Sequence, residues 1–308
     1  MADPKPRRVF LGELLLLLVA VIWGGGFVAQ RMGMAHIGPF TFAAIRFLLG
    51  TLSLVPLLIF TRPAKAASGR QLESVWPTAG LLCGALLFLG AIFQQMGMQQ
   101  TPAGKAGMIT SMYIMFVPLF AISFGKRPRK LIRLGIVMGL VGLYFLTVSQ
   151  GVIRPGDLSV AVSSVFWALH ILAVGYYSTR VDPLRLSMAQ FLITGVLCAM
   201  LALLTEETNY FDIMAATGPI LYAGLAVVGL SYTLQVLGLK IVHTESASLI
   251  LSLESVFAVL FGALYLGERF NTQEWIGVIV MLAAVFIVQL ASPHDDTNDL
   301  TDPPLPHF

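Results

Sequence analysis

The sequence predicts an all-α integral membrane protein whose ten transmembrane helices form two inverted five-helix repeats. Three observations lead to this prediction: an apolar composition, ten apolar segments of spanning length, and a similarity between the two halves of the chain. Of the 308 residues, 57% are hydrophobic and only 11% are charged, whereas a soluble domain has about 25% charged residues. The composition therefore places the chain in a membrane.

Ten segments of the chain are long enough to cross a bilayer. A spanning helix needs about 20 mostly apolar residues and satisfies its own backbone polar groups in lipid. The first segment has no clear small-residue cleavage site after it, so we interpret it as a spanning helix and not as a signal peptide. Thr101-Pro102 and Asp182-Pro183 each pair a capping side chain with a proline at the first turn of a helix. The segments are roughly 10–30, 40–60, 76–97, 105–124, 131–149, 157–177, 185–204, 217–238, 244–266 and 273–290.

The basic residues predict the orientation of the chain. With a cytoplasmic N-terminus, 14 of the 19 Lys and Arg residues fall on the cytoplasmic side, four fall on the outer side, and Arg46 lies within helix 2. Basic residues favour the cytoplasmic side, so we predict a multi-pass protein of the cell (inner) membrane with both termini in the cytoplasm. Residues 291–308 are rich in Asp and Pro and are predicted to form a disordered cytoplasmic tail.

The two halves of the chain resemble each other. Aligning 97–120 with 238–261, at an offset of 141, gives seven identical residues. At an offset of 144, Trp23 falls on Trp167, Phe47 on Phe191, and Arg46 on Gln190. Five helices per unit is an odd number, so the second unit (157–290) is predicted to be inverted relative to the first (10–149). Inverted repeats around a midplane site are typical of secondary transporters. The alternative is that duplication only built a larger bundle.

The chain resembles the EamA-type family of the drug/metabolite transporter superfamily over residues 10 to 290. The residues that carry the resemblance are Trp23-Gly24, Arg46-Phe47, Thr101-Pro102-Ala103-Gly104-Lys105-Ala106, Trp167-Ala168, Ser252-Leu253-Glu254 and Leu266-Gly267-Glu268-Arg269. The resemblance implies a central cavity lined mainly by helices 1, 3, 4, 6, 8 and 9, and transport of small metabolites, most often outward. Family members commonly have a proline after the glutamate of helix 9, where this chain has Ser255. The resemblance therefore does not by itself imply a bend there.

Glu254 is the first candidate site residue, because it lies near the middle of an apolar segment. An ionisable group at that depth costs roughly 3 kcal/mol or more and usually faces a cavity or a partner. Glu254 is a candidate for substrate binding and proton coupling; the alternative is a hydrogen-bonded acid that braces helix 9. Stripes of small residues on helices 4 and 9 favour close packing and place Tyr113 beside Glu254 as its repeat-related neighbour.

Other polar and aromatic residues of the apolar segments are further candidates. His170 is a second candidate for proton coupling, with a simple hydrogen bond to a backbone carbonyl as the alternative. The sequence favours an internal structural ion pair for Arg46 over binding of a substrate carboxylate or phosphate. The glycines after Trp23 indicate either backbone groups facing the cavity or a close helix crossing. The substrate-binding candidates are Trp23, Gln94, Tyr113, Trp167, His170, Gln235 and Glu254.

The leading functional hypothesis is a secondary transporter of small metabolites that works by alternating access, and in particular an exporter of amino acids or related solutes. A membrane-embedded enzyme is the second hypothesis and an ion channel the third. No cofactor is expected, and Cys83 and Cys198 lack metal-ligand spacing, so no metal is expected either. The predicted partners are a small-molecule solute and the lipid bilayer, not nucleic acid, with a monomer or homodimer. Substrate identity, direction and proton coupling stay open.

Overall fold

Ten long helices run through the computed structural model, which describes residues 6–60, 75–123, 129–149, 152–178, 180–239, 242 and 244–291. Each helix is apolar and long enough to cross a membrane, which confirms the predicted all-α fold and its ten segments. They are helix 1 (Pro6–Gly33), helix 2 (Pro39–Phe60), helix 3 (Trp76–Gly97), helix 4 (Ala103–Thr110 and Tyr113–Ser123), helix 5 (Lys130–Thr147), helix 6 (Pro155–Ser178), helix 7 (Pro183–Thr205), helix 8 (Thr217–Leu239), helix 9 (Thr244–Ser252 and Glu254–Leu266) and helix 10 (Thr272–Ala291).

The connections that the structure describes are short. A helix of six residues, Tyr210–Ala215, lies between helices 7 and 8. Two antiparallel strands, β1 (Val148–Ser149) and β2 (Val152–Ile153), lie between helices 5 and 6. The orientation of the termini stays a prediction, because several basic residues that support it, and the tail from 292 to 308, lie outside the described residues. These basic residues are Lys5, Arg62, Lys65, Arg70, Lys126, Arg127 and Lys240.

One of the two predicted helix caps is confirmed. At the start of helix 7, Asp182 Oδ1 accepts a hydrogen bond from Arg185 N at 2.9 Å. The cap predicted at Thr101 is wrong, because the Thr101 hydroxyl donates to Asp157 Oδ1 at 2.8 Å. The start of helix 4 is capped instead by a carboxylate from a distant loop, which belongs to the site described below.

The helices pack in a pattern that treats the two halves of the chain alike. Helix 2 packs against helix 7, helix 4 against helix 9, and helix 5 against helix 10. Helix 1 contacts helices 8 and 9, while helix 6 contacts helices 3 and 4. Exchanging the first five helices for the last five leaves this set of contacts unchanged. Helix 1 is thus embedded in the bundle, as its interpretation as a spanning helix requires.

Glycines allow the close contact between helices 5 and 10. A Cβ atom at Gly142 would lie 3.0 Å from the carbonyl oxygen of Gly277, and one at Gly135 would lie 3.2 Å from that of Ala284. At an offset of 142, Gly135 falls on Gly277 and Gly142 falls on Ala284. A shift of 142 residues therefore exchanges the two contacts, close to the offsets of 141 and 144 that align other parts of the two halves.

Helices 4 and 9 are each interrupted near the middle, at positions related by the offset of 141. Helix 4 is interrupted at Ser111-Met112 and helix 9 at Leu253. The hydroxyls of Ser111 and Ser252 donate to the carbonyl oxygens three residues earlier, each at 2.7 Å. Such side-chain bonds compete with the helix ladder and bend helices. Helix 9 is therefore interrupted although Ser255 stands where the family commonly has a proline.

Candidate functional site

Tyr113 and Glu254 meet where helices 4 and 9 are interrupted. The Tyr113 hydroxyl donates to Glu254 Oε1 at 3.1 Å, which confirms the predicted proximity of these repeat-related residues. Each is the first residue of the second half of its helix, and Glu254 is only 8% exposed. The start of a half-helix carries unpaired N–H groups and a partial positive charge. This position therefore combines a buried acid, a phenol and two helix termini at one place in the bundle.

The three glycines that follow Trp23 form a close helix crossing. Helix 1 runs unbroken through them. Of the two alternatives, the structure therefore supports a close helix crossing and not backbone groups that face a cavity. A Cβ atom at Gly24 would lie 2.4 Å from Phe257 Cβ of helix 9, and one at Gly25 would lie 2.5 Å from the Tyr222 hydroxyl of helix 8. Helix 1 can approach both neighbours only because these positions lack side chains.

Trp23 contacts a π-helical stretch of helix 8. Its Nε1 donates to the carbonyl oxygen of Val227 at 3.4 Å, within the π-helical residues Tyr222–Leu230. Such stretches are rare and are frequently found at functional sites. Helix 8 is thus irregular at the point where helix 1 crosses it, and Trp23 marks that point.

His170, Gln190 and Trp167 form a second polar group, between helices 6 and 7. His170 Nε2 lies 2.7 Å from Gln190 Oε1, and the Trp167 indole stands edge-on to the imidazole with 5.8 Å between ring centroids. His170 Nδ1 and Trp167 Nε1 are buried, and neither has a hydrogen-bond partner among the described residues. Buried polar atoms rarely lack partners, so these two can bind a ligand without displacing an existing bond. No pattern in the sequence predicts the pairing of His170 with Gln190.

The two glutamines that the repeat relates have different surroundings. Gln94 is buried and its Nε2 donates to the Thr110 hydroxyl at 3.0 Å, joining helices 3 and 4. Gln235 is half-buried near the end of helix 8. Gln95, which follows Gln94, is fully buried, and within the described part of the chain neither polar atom of its side chain has a hydrogen-bond partner. Gln95 is thus a polar group of helix 3 that the candidate set did not include.

Arg46 is buried in helix 2 without the ion pair that the sequence favours. Its guanidinium carbon lies 4.6 Å from the centroid of the Phe47 ring, and the residue is 4% exposed. Among the residues that the structure describes, no carboxylate lies within 4.0 Å of it, and its Nε has no hydrogen-bond partner. A structural ion pair is therefore not what holds Arg46 within the described part of the bundle.

Lys105 and Asp157 form a buried ion pair at one end of the bundle that no pattern in the sequence predicts. Lys105 Nζ lies 2.8 Å from Asp157 Oδ2, with side chains 2% and 0% exposed, and 3.6 Å from Glu274 Oε1. Asp157 also accepts the Thr101 hydroxyl. We call Thr101, Lys105, Asp157 and Glu274 the ionic junction; it joins the starts of helices 4, 6 and 10. Lys105 is one of the four basic residues that the predicted orientation assigns to the outer side, and its position in the motif 101–106 is the only feature of the sequence that indicates a buried role.

Two carboxylates from loops cap the starts of helices 4 and 2. Glu268 accepts hydrogen bonds from Ala103 N (2.6 Å) and Gly104 N (2.8 Å) at the start of helix 4. Glu206 accepts bonds from Phe40 N and Thr41 N, both at 2.8 Å, at the start of helix 2. Acids at helix N-termini satisfy unpaired N–H groups and complement the helix dipole. Glu268 thereby connects the two sequence motifs 101–106 and 266–269.

A ten-helix membrane bundle with interrupted helices and buried polar groups at its centre defines a polytopic membrane transport protein. The chain belongs to the EamA-like transporter family, whose model matches it twice, over residues 10–148 and 154–290. The resemblance drawn from the sequence motifs is therefore confirmed. Among the described residues, no group of three or more His, Cys, Asp or Glu side chains is placed to hold a metal ion.

Relatives of the chain bear transporter names. A protein of Archaeoglobus fulgidus described as an uncharacterized transporter is 30% identical over 292 residues, covering 92% of this chain and 87% of its own length. The uncharacterized transporter YoaV of Bacillus subtilis is 24% identical, covering 91% and 96%. The uncharacterized inner membrane transporter YicL of Salmonella typhimurium is 25% identical, covering 91% and 96%. A solved crystal structure superposes with a TM-score of 0.62 at 20% identity, covering 91% of this chain and 96% of that one, which shows the shared fold. This chain is a membrane transporter.

Proposed function

We propose that this protein is a secondary active transporter that moves a small metabolite by alternating access, and in particular an exporter of amino acids or related solutes. The observation that carries this proposal is the contact of Tyr113 with Glu254 at the paired interruptions of helices 4 and 9. Discontinuous helices at a midplane site are how many secondary transporters bind their substrates. Direction is set by the gradients and the coupling, and export is the expectation that the family resemblance brings.

The chain consists of two inverted units, residues 10–149 and 157–290, with 291–308 as a cytoplasmic tail. The exchanged helix contacts support this division, as do two contacts between residues that the offsets relate. One is the Tyr113–Glu254 hydrogen bond; the other is the contact of the Phe47 and Phe191 rings, 6.1 Å apart. Residues related by a two-fold axis touch each other only near that axis, so both contacts belong at the centre of the pair of units.

The solute binds between the units and contacts the candidate side chains in turn as the units rock. Glu254 and His170 carry the proton coupling, since both are ionisable, buried and close to a second polar group. The aromatic and amide side chains bind the solute by stacking and hydrogen bonds. The binding set is Trp23, Gln94, Tyr113, Trp167, His170, Gln235 and Glu254.

The protein lies in the inner membrane with both termini cytoplasmic, and the ionic junction then faces the outer side. It acts as a monomer or homodimer without nucleic acid. The Gly80-x-x-x-Gly84 face is used within the chain: Cβ atoms at these positions would lie 3.5 Å from Ala189 Cβ and 2.8 Å from Ile193 Cβ. This use supports the monomer as the transporting unit.

The experiment that tests the proposal is counterflow in liposomes. Purified protein is reconstituted and a pool of amino acids and nucleobases is screened for saturable exchange, with Glu254→Gln beside the wild type. We expect saturable exchange by both and pH-driven accumulation by the wild type alone. Glu207→Gln, which changes an exposed acid, is the matched control and should behave like the wild type.

Each alternative function has its own outcome in the same experiment. Flux that does not saturate would indicate a channel, and formation of a product would indicate an enzyme. A Glu254→Gln variant that keeps pH-driven accumulation would make Glu254 a brace of helix 9 and remove it from the coupling mechanism. Absence of exchange with every solute would overturn the proposed transport of these solutes.

A further inference from the structure

Arg46 is a buried cation for which the surrounding helices provide no acid. Helix 2 packs against helices 3, 7 and 8, and none of these four helices contains an Asp or Glu. Asp157 is the one acid of helix 6, and it is bound to Lys105. Glu206, which follows helix 7, is bound to the start of helix 2. Buried charges in membrane proteins usually pair with an opposite charge or with backbone carbonyls. The Phe47 ring, 4.6 Å from the guanidinium carbon, carries no full negative charge, so an anionic ligand is the expected partner.

The internal similarity shows what is missing beside Arg46. At the offset of 144, Arg46 falls on Gln190, and the residue equivalent to His170 is Gly26. In the second unit, Gln190 is hydrogen-bonded to His170 at 2.7 Å. The first unit has no side chain at Gly26 to play that part. The second unit thus pairs its polar side chains with each other, whereas no carboxylate among the described residues lies within 4.0 Å of Arg46 in the first unit.

The surroundings of Arg46 restrict the chemistry of the ligand. A guanidinium binds a carboxylate through two parallel hydrogen bonds. Helices 3, 6 and 8 contain no Lys or Arg, and Arg185 of helix 7 is exposed at its start. A single positive charge fits a monoanion better than a phosphate dianion. The guanidinium carbon of Arg46 lies 4.6 Å from the centroid of the Phe47 ring. Phe47 belongs to an apolar cluster that also includes Phe191 and Trp167, so the rest of the ligand is expected to be apolar.

We infer that Arg46 binds the carboxylate of the transported solute, which is a small monocarboxylate or zwitterion with an apolar body. The inference rests on the proposed transport function and names the substrate class of that site. Arg46 is 4% exposed in this structure, so the solute reaches it when the two units move apart. The sequence favours a structural role for Arg46, whereas this inference makes it a specificity-determining residue.

The test compares each solute that passes the counterflow screen with its own carboxamide, which removes the negative charge at nearly constant shape. In the wild type, we expect the half-saturating concentration of the carboxamide to be at least tenfold higher, since a charge-assisted hydrogen bond contributes about that factor or more. Arg46→Gln should raise the half-saturating concentration of the carboxylate to that of the carboxamide and leave the carboxamide unchanged. Arg46→Lys keeps the charge and should fall between the two.

Arg185→Gln is the matched control, because it removes an exposed arginine from the same type of helix; its carboxylate-to-carboxamide ratio should equal that of the wild type. The inference is overturned by a screened solute without a carboxylate, by equal wild-type exchange of acid and amide, or by an Arg46→Gln variant that keeps the wild-type ratio. Equal wild-type exchange of acid and amide overturns the inference even if Arg46→Gln does not fold, and Arg46→Lys then tests the residue itself. In each of these outcomes saturable exchange persists, so the proposed transport of a small metabolite by alternating access stands. Absence of all saturable exchange overturns both.

Discussion

Breaking the ionic junction by Lys105→Met is predicted to destabilise the protein strongly. Lys105 Nζ and Asp157 Oδ2 are 2.8 Å apart and almost fully buried, so removing the lysine leaves an uncompensated buried carboxylate. Removing one partner of a buried ion pair costs about 3–5 kcal/mol. Glu274, at 3.6 Å and partly exposed, loses a weaker interaction and adds little. We expect a loss in the lower part of this range, because the Thr101 hydroxyl still donates to Asp157.

The double variant Lys105→Met with Asp157→Leu tests whether the loss comes from the unpaired charge. Replacing both partners with apolar residues removes the desolvation cost, so the double variant should be less destabilised than the sum of the single variants, by about 2 kcal/mol. The measurement is the free energy of unfolding in detergent micelles, from denaturant titrations followed by tryptophan fluorescence. Lys130→Met, an exposed lysine in the first turn of helix 5, should change it by less than about 0.5 kcal/mol.

Two results would contradict this reasoning. If Lys105→Met has the same free energy of unfolding as Lys130→Met, the buried Lys105–Asp157 pair contributes nothing to stability. Single-variant losses that simply add in the double variant would mean that Lys105 and Asp157 act independently, contrary to their 2.8 Å separation.

Two further predictions concern contacts between the halves of the chain. Gly24→Ala should lower the thermal unfolding temperature, because the added Cβ would lie 2.4 Å from Phe257 Cβ and overpacking costs about 1–3 kcal/mol. The control Gly175→Ala should not lower it, because nothing lies within 4 Å of the added atom. Equal changes in the two variants would contradict the close helix crossing. Glu206→Gln should lower the free energy of unfolding by about 1 kcal/mol, because the start of helix 2 loses a negative charge. Denaturant unfolding measures this loss, with Glu207→Gln as the control. Equal losses in the two variants would show that the Glu206 cap contributes little.

The sequence predicts the helices and one central contact well, for physical reasons. A bilayer imposes a minimum apolar length, so ten segments could be recognised from composition alone. The alignment of the two halves at an offset of 141 pairs Tyr113 with Glu254, and the structure brings these two residues into contact. Their hydrogen bond of 3.1 Å needs both this proximity and the chemistry of the two side chains, because the phenol donates and the carboxylate accepts.

The partners of the other buried polar groups could not be predicted in the same way. Lys105 and Asp157 are far apart in sequence, and a lysine at the edge of an apolar segment looks the same whether it faces water or a carboxylate. The absence of a nearby acid for Arg46 depends on which helices surround helix 2, and the sequence does not fix that arrangement. The interruption of helix 9 could not be predicted from a proline, because helix 9 has none. A hydrogen bond from the Ser252 hydroxyl to a backbone carbonyl is found at the interruption instead.

The serines at the two interruptions make each one reversible. A proline ring removes a backbone donor permanently, so a proline bend persists in every conformation. The Ser111 and Ser252 hydroxyls bond carbonyl oxygens at 2.7 Å while every backbone N–H at the interruption stays in place. A rotation about a single side-chain bond releases those carbonyls and lets the helix ladder close. Helices 4 and 9 can therefore straighten or bend at the cost of exchanging one hydrogen bond for another, and the geometry around Tyr113 and Glu254 can change without unfolding either helix.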